Sequence, residues 1–311
     1  MPTSLSQDYA LQAAKGIKEV FRNSVNFDLN VFKNQKIVEY YSTDEFAEIF
    51  TSTEGLSGVR TLAEKEAPPV LALEDGYSIT VTEERFGGAI ELSETAMRQA
   101  RDNTTKIDGF LTTQNNQLLQ DTRQHILEYA FYMLNQATNT SALTLAPDGK
   151  PLLSATHTWA TPGAATWNNL ATTTFDEDAV DTAMIYAGNF TMADGKPRPL
   201  NFDTIIVKKG SNTARAAIRL FASQITPVAV DDVNVYHGAM TIIETPYITS
   251  QTSWFLRDSS IMNSVRLGIG QAPSLSEPIV QNNSAIRMNA TGFMKRGIYN
   301  MPYDWYGYIG S

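Results

Sequence analysis

Residues 148–159 read DGKPLLSATHTW and place Asp148, Ser154 and His157 within one short segment. These are the residue types of an acyl-transfer triad, in which histidine takes the proton of a serine hydroxyl and a carboxylate holds the imidazole in one tautomer. The spacing argues against that chemistry. Triad members normally converge from distant segments, and the chain has no G-x-S-x-G string to present a nucleophile on a sharp turn. The other two histidines, His125 and His237, stand far from His157, and none of the three has a second histidine or a carboxylate at metal-ligand spacing.

Other chemical signals have simpler readings. GIGQAP at 268–273 lacks the following glycine of a dinucleotide fingerprint, and no Walker string occurs. The acidic run Asp176-Glu177-Asp178 could hold a cation, but a solvated helix start explains it more simply. Trp159, Trp167, Trp254 and Trp305, with the C-terminal tyrosines, could form a sugar-binding surface; core and interface packing is the simpler use. Arg215 and Arg219 share a helix face, either solvated or set against a phosphate or a neighbouring subunit's carboxylate. The expectation is a chain with no catalytic, cofactor-binding or metal-binding residues.

Composition narrows the class. At 311 residues with 42 % hydrophobic content, the chain can bury a substantial core. A formal charge of −9 argues against a dedicated nucleic-acid-binding domain and favours solubility through mutual repulsion. With no cysteine, disulfides, thiolate zinc sites and thiol nucleophiles are excluded. The N-terminus lacks the basic-then-apolar pattern of a secretory signal, and no apolar run reaches the ~20 residues that span a bilayer.

The elements that must position these residues follow from periodicity. Residues 5–23 carry Leu5, Tyr9, Ala13, Ile17, Val20 and Phe21 near a helical period and predict an amphipathic arm. TDEFAEIFTS predicts a short helix capped at Thr43 or Asp44, with Phe46, Ile49 and Phe50 on its apolar face. Tyr77, Ile79 and Val81 alternate with polar residues, and Asp75-Gly76 is a hairpin turn signal, so 58–92 reads as a long hairpin-like excursion too poor in large apolar residues to pack alone. Ser93 predicts an N-cap for the helix that follows. The strongest signal is a helix over 105–137, about 45 Å long. Its stripe runs through Ile107, Leu111, Gln114, Leu118, Asp121, His125, Tyr129 and Met133. Beyond residue 140 the chain predicts a helix with an acidic first turn (TTFDEDAVDTAMIYAGNF) and a buried strand (NFDTIIV). A helix capped by Ser211 or Asn212, further strands at VNVYHGAMTIIETPYI and SWFLRD, and short closing strands over 275–309 complete it.

This succession resembles the major capsid proteins of tailed phages, the Hong Kong 97 fold. GGAIELSETAMRQA looks like the return strand of that family's extended loop running into the next helix, and the 105–137 helix like its spine helix. DGKPLLSATHTW followed by WNNL resembles a segment found after the spine helix in many phage capsid proteins, including Mu-like major head subunits. DGKPRPLNFDTIIVKKGSNTARAAIRLFAS and VNVYHGAMTIIETPYITSQTSWFLRDSS look like strands and a helix of the axial domain. The resemblance implies an α+β fold: an N-terminal arm (1–35), an extended loop (58–92), a peripheral domain (36–57, 93–155, 270–299) and an axial domain (156–269, 300–311).

It implies a non-enzymatic shell subunit that assembles with itself as hexamers and pentamers around double-stranded DNA, touched through non-specific contacts. It also implies a separate scaffolding protein or an already processed chain, since the arm starts at once, along with a portal protein and decoration proteins. The place of the protein would be the virion, assembled in the bacterial host cytoplasm, with no membrane contact. Some relatives cross-link Lys to Asn, and Lys65 lies in the proposed loop. Two rivals stand beside this reading: an encapsulin-type compartment with protein cargo, and a serine hydrolase using Ser154, Asp148 and His157.

Overall fold

The computed structural model describes residues 37–56, 61–62, 64, 66–68, 73–93, 104–223, 234–281 and 285–310. The expected N-terminal arm, Lys65 and the helix expected after Ser93 lie outside them.

The first sheet is built from β1 (Glu39–Ser42), β4 (Glu84–Leu92), β8 (Val265–Leu275) and β10 (Ile286–Ile298), in the order β1-β8-β10-β4, with β9 (Ile279–Val280) also on β10. In β10 the buried residues Ile286, Met288, Ala290, Met294 and Ile298 fall on alternate positions, so one face of the strand is apolar. Across that face lies α1 (Thr104–Asn135), the expected long helix, 32 residues in one piece. Its buried line runs Asn115, Leu119, Thr122, Ile126, Tyr129 and Met133. Steps of four and three keep one seam against a neighbour over many turns. The seam is offset from the expected stripe: Asp121 and His125 are exposed, because sheet contact selects the line richest in apolar and small polar residues.

The second sheet has the order β11-β7-β5-β6, comprising β5 (Thr204–Lys208), β6 (Thr241–Thr245), β7 (Trp254–Arg257) and β11 (Trp305–Tyr308). β5 and β6 are parallel and joined through α3 (Asn212–Ala222). Successive β5 and β7 residues serve two cores. Ile206 and Phe255 join the cluster under α1, while Ile205, Val207, Trp254 and Leu256 pack with α3 and α2 (Glu177–Asn189). Burial on both faces explains the unbroken apolar runs TIIV and WFL. Ser211 caps α3 as the sequence predicts, accepting from Ala214 N at 3.0 Å, and Asp176, at the expected acidic start of α2, accepts from Ala179 N at 2.8 Å.

Two expectations are corrected between residues 43 and 92. TDEFAEIFTS is no helix: Ala47–Leu56 is strand β2, antiparallel to β3 (Leu73–Thr82). Asp75-Gly76 is no turn either. β3 runs through it, because the strand's partner lies upstream, at β2, and not downstream. The ribbon is therefore built from 47–56 and 73–82, and residues 84–92 belong to the first sheet as β4. The closing strands are also longer than expected, β10 having 13 residues. β8 spans the boundary expected at 269/270.

Candidate functional site

The segment 148–159 forms a closed cluster. Gly149 at φ 72° lets the chain reverse after Asp148, and Ala146 N donates to Lys150 O across the turn at 2.6 Å. Asp148 Oδ1 accepts from Lys150 N at 3.1 Å, while Oδ2 accepts from Thr158 N at 3.2 Å and lies 2.7 Å from His157 Nδ1. A carboxylate only accepts, so Nδ1 carries the proton of this bond. The His157 ring is wholly buried and stacks on Trp167, with centroids 4.2 Å apart. His157 Nε2 and Trp167 Nε1 are both buried without a hydrogen-bond partner among the described residues. The structure thus unites Asp148 and His157 but leaves out Ser154, whose Oγ accepts from Thr156 N at 3.3 Å. No hydrogen bond joins Ser154 to His157, and a ring sealed beneath an indole offers no path to a substrate. The hydrolase constellation is not assembled.

Asn169 is the staple behind this cluster. Fully buried, it donates to Leu152 O at 2.8 Å and Pro302 O at 3.1 Å and accepts from Ser154 N at 2.9 Å. Two distant backbone segments, 152–154 and the one at Pro302, are held together by one amide.

The ribbon is anchored at two points. Lys295 of β10 points away from α1 and is fully buried; its Nζ donates to Glu45 O at 2.5 Å and to Glu48 Oε1 at 2.8 Å. Glu48 also accepts from Thr43 Oγ1 and, at 2.8 Å, from Tyr41 OH, which lies 3.0 Å from Tyr299 OH. Burial pushes the Glu48 carboxyl up, but the bonds from Lys295, Thr43 and Tyr41 outweigh it and hold the group below its ordinary range. Gly268 leaves room for this network, since a Cβ there would come within 2.8 Å of Lys295 Cγ and 2.9 Å of the Tyr41 ring. The second anchor is Tyr77 of β3, whose hydroxyl donates to Trp159 O at 3.1 Å and lies 3.3 Å from Thr158 Oγ1. The ribbon thereby touches the very segment that carries His157.

Beside those anchors, large apolar residues stay open. Phe46 and Ile49 are 67 % and 73 % exposed. Ile49 lies beside Thr80, and Ala47 and Thr51 beside Thr82 and Ser78, so these three pairs carry no charge. Phe50, on the other face, packs edge-on against Tyr299.

The remaining candidates disperse. His125 lies 5.4 Å from the Phe86 ring, in a groove of about 810 Å³ between α1 and β4 that Tyr129, Tyr132 and Arg296 also line. His237 is exposed beside Gly238, and no cluster of three His, Asp or Glu residues fit for a metal occurs among the described residues. Trp159, Trp167, Trp254 and Trp305 are all buried, which overturns the sugar-surface reading and supports packing. Arg215 and Arg219 are exposed on α3. Lys295, Glu48, Tyr77 and Asn169 were not legible as site residues: no local motif marks a side chain whose partners lie tens or hundreds of residues away.

A two-stranded ribbon pinned to a body of sheet and long helix, with large apolar side chains left open at its base, suits a subunit that completes itself on its neighbours, as in a protein shell. Known proteins agree. The profile of the family described as "Phage capsid protein" matches residues 76–294, and the chain belongs to that family. Among solved structures it resembles the capsid of an empty GTA particle (10 % identity, 88 % of each chain, TM-score 0.52). It also resembles Microbacterium phage Oxtober96 (11 % identity, 88 % of this chain and 90 % of that one, TM-score 0.51). A third likeness is the capsid of Myoviridae phage XM1 (9 % identity, 90 % and 92 %, TM-score 0.50). No curated protein matches the sequence. The protein is a phage capsid protein, a structural component of a protein shell and of the virion. No helix among the described residues is long and apolar enough to cross a membrane.

Proposed function

We propose that the subunit follows the Hong Kong 97 plan in detail. The β2–β3 ribbon (47–82) is its extended loop. The first sheet with α1 as spine is the peripheral domain. The second sheet with α2 and α3 is the axial domain, and residues 1–35 form the arm. Pentamers and hexamers of this subunit tile an icosahedral head around double-stranded DNA, met through non-specific contacts and counterions. A separate scaffolding protein, a portal and decoration proteins complete the head, which assembles in the host cytoplasm, and the subunit's role is non-enzymatic.

The observation that carries this reading is the ribbon. Its base is fixed by buried polar bonds, yet it leaves Ile49 exposed among neutral side chains, with Phe46 exposed just before it. A lone subunit gains nothing from holding such a surface rigid; a neighbour that covers it does. Electron microscopy of the purified protein tests the proposal. Closed shells with nuclease-protected DNA, when formed in the presence of the packaging proteins, are expected. Shells filled with protein cargo would favour a compartment role, and a permanently monomeric chain would overturn both.

A further inference from the structure

Two helices on the same face of the second sheet present opposite charge to the outside. On α2 the exposed line is Asp178, Thr182 and Ile185, with Glu177 beside it. On α3 it is Arg215, Ile218 and Arg219. Each line carries one large apolar residue left open, Ile185 at 65 % and Ile218 at 41 % exposure. Neither arginine reaches a carboxylate within 4 Å among the described residues, and no side-chain bond to the Asp178 carboxylate is found there. Asp181, by contrast, is engaged by Tyr236 OH within the chain and is left out of the surface.

We propose that the α2 face of one subunit docks on the α3 face of a second copy, with Glu177 and Asp178 meeting Arg215 and Arg219 around a contact between Ile185 and Ile218. The occupant is another copy of this chain, because the two faces complement each other in sign and each supplies one exposed isoleucine. A contact between two different patches is head-to-tail: every copy offers one of each, and repetition about an axis closes a ring. Complementary charge steers the encounter and rejects a face-to-face pairing of like helices. The inference rests on the shell reading, since it assigns one of the contacts by which subunits assemble.

Charge reversal tests it. E177R/D178R and R215E/R219E each make α2 and α3 alike in sign, so each variant alone is expected to fold, by circular dichroism and thermal midpoint, and to need roughly tenfold more protein to assemble. All four substitutions in one chain restore opposite signs and should restore assembly. A 1:1 mixture of the two double variants is sharper still. Contacts are then favourable only where variants alternate, so rings of even number return and rings of odd number do not. Ile218→Asp, which leaves both charged groups in place, should weaken assembly as well. If the four-fold variant stays as defective as the double variants, or the double variants assemble like the native chain, the contact is wrong. If the native chain itself forms no shells under any condition, it is the shell reading that fails.

Discussion

Lys295 Nζ lies 2.8 Å from Glu48 Oε1, with the lysine side chain wholly removed from solvent and the glutamate keeping 13 % of its exposure. This pair joins β10 of the first sheet to the base of the β2–β3 ribbon, 247 residues away in the chain. Removing one member of a buried pair leaves the other charge without compensation. Lys295→Met should therefore lower the unfolding free energy of the unassembled subunit by about 3 kcal/mol, read from urea denaturation. Adding Glu48→Gln should return part of that loss, since the stranded carboxylate is then gone. A double-variant loss equal to the sum of the two single-variant losses would show that the pair does not couple.

Two carboxyls act on stability with opposite signs. Asp304 is fully buried, and burial raises its pKa from 3.8 to about 6 against the lowering bonds from Ser264 and the attraction of Arg257. The folded chain then holds this proton more tightly than the unfolded one, so stability falls as pH rises through the window from about 4 to about 6. Glu48 lies below its ordinary 4.5, so its contribution is present above that value and is lost as pH falls through the folded pKa. Thermal midpoints of the subunit across about pH 3 to pH 7 should show both limbs. Asp304→Asn, which keeps an acceptor for Ser264 N, should flatten the loss between about pH 4 and 6, and Glu48→Gln the loss at lower pH. Unchanged pH profiles in these variants would refute the assignment.

The elements that sequence reasoning placed well are those whose signal is local. The long helix, the acidic start of α2, the cap at Ser211 and the doubly buried strand TIIV each carry their signal within a few residues. The errors have a common physical origin. Phe46, Ile49 and Phe50 fit a helix face by spacing, but pairing with β3 sends Ile49 outward and Phe50 onto Tyr299. That pairing bridges more than twenty residues and overrides weak local propensity. Asp75-Gly76 failed as a turn for the same reason. The Asp148–His157 pair was visible as residue types, whereas its meaning came from Trp167 stacked over it and from Tyr77 arriving from the ribbon.

That cluster makes its own prediction. Asn169→Ala strands Leu152 O, Pro302 O and Ser154 N in the interior. An unsatisfied buried group costs about 1–3 kcal/mol, so a total loss of at least ~2 kcal/mol is expected in chemical denaturation. His157→Phe keeps an aromatic stack on Trp167 but removes the bond to Asp148, and it should destabilise less than His157→Ala, which opens a cavity as well. If His157→Ala and His157→Phe lose the same stability, the stack contributes nothing and the role assigned to Trp167 falls.

The ribbon's two faces predict a separation of folding from assembly. Ile49 and Phe46 are exposed, so Ile49→Asp and Phe46→Asp should change subunit stability by no more than about 0.5 kcal/mol. In the shell the same positions would place a charge against a neighbour's apolar surface, and an unpaired charge there is costly to desolvate. Both variants should therefore remain folded and fail to form closed shells, seen by electron microscopy and sedimentation. Tyr77→Phe provides the contrast. It cuts the bond to Trp159 O inside the subunit while leaving the outer face intact, so it should lower stability by about 1 kcal/mol and still permit assembly. The corrected strand order also separates two deletions. Removing 60–90 takes away most of β4 and should unfold the first sheet, whereas removing only residues between Leu56 and Leu73 should leave a folded subunit that does not close shells. Normal shells from Ile49→Asp, or a stable fold after the longer deletion, would contradict the placement of the ribbon.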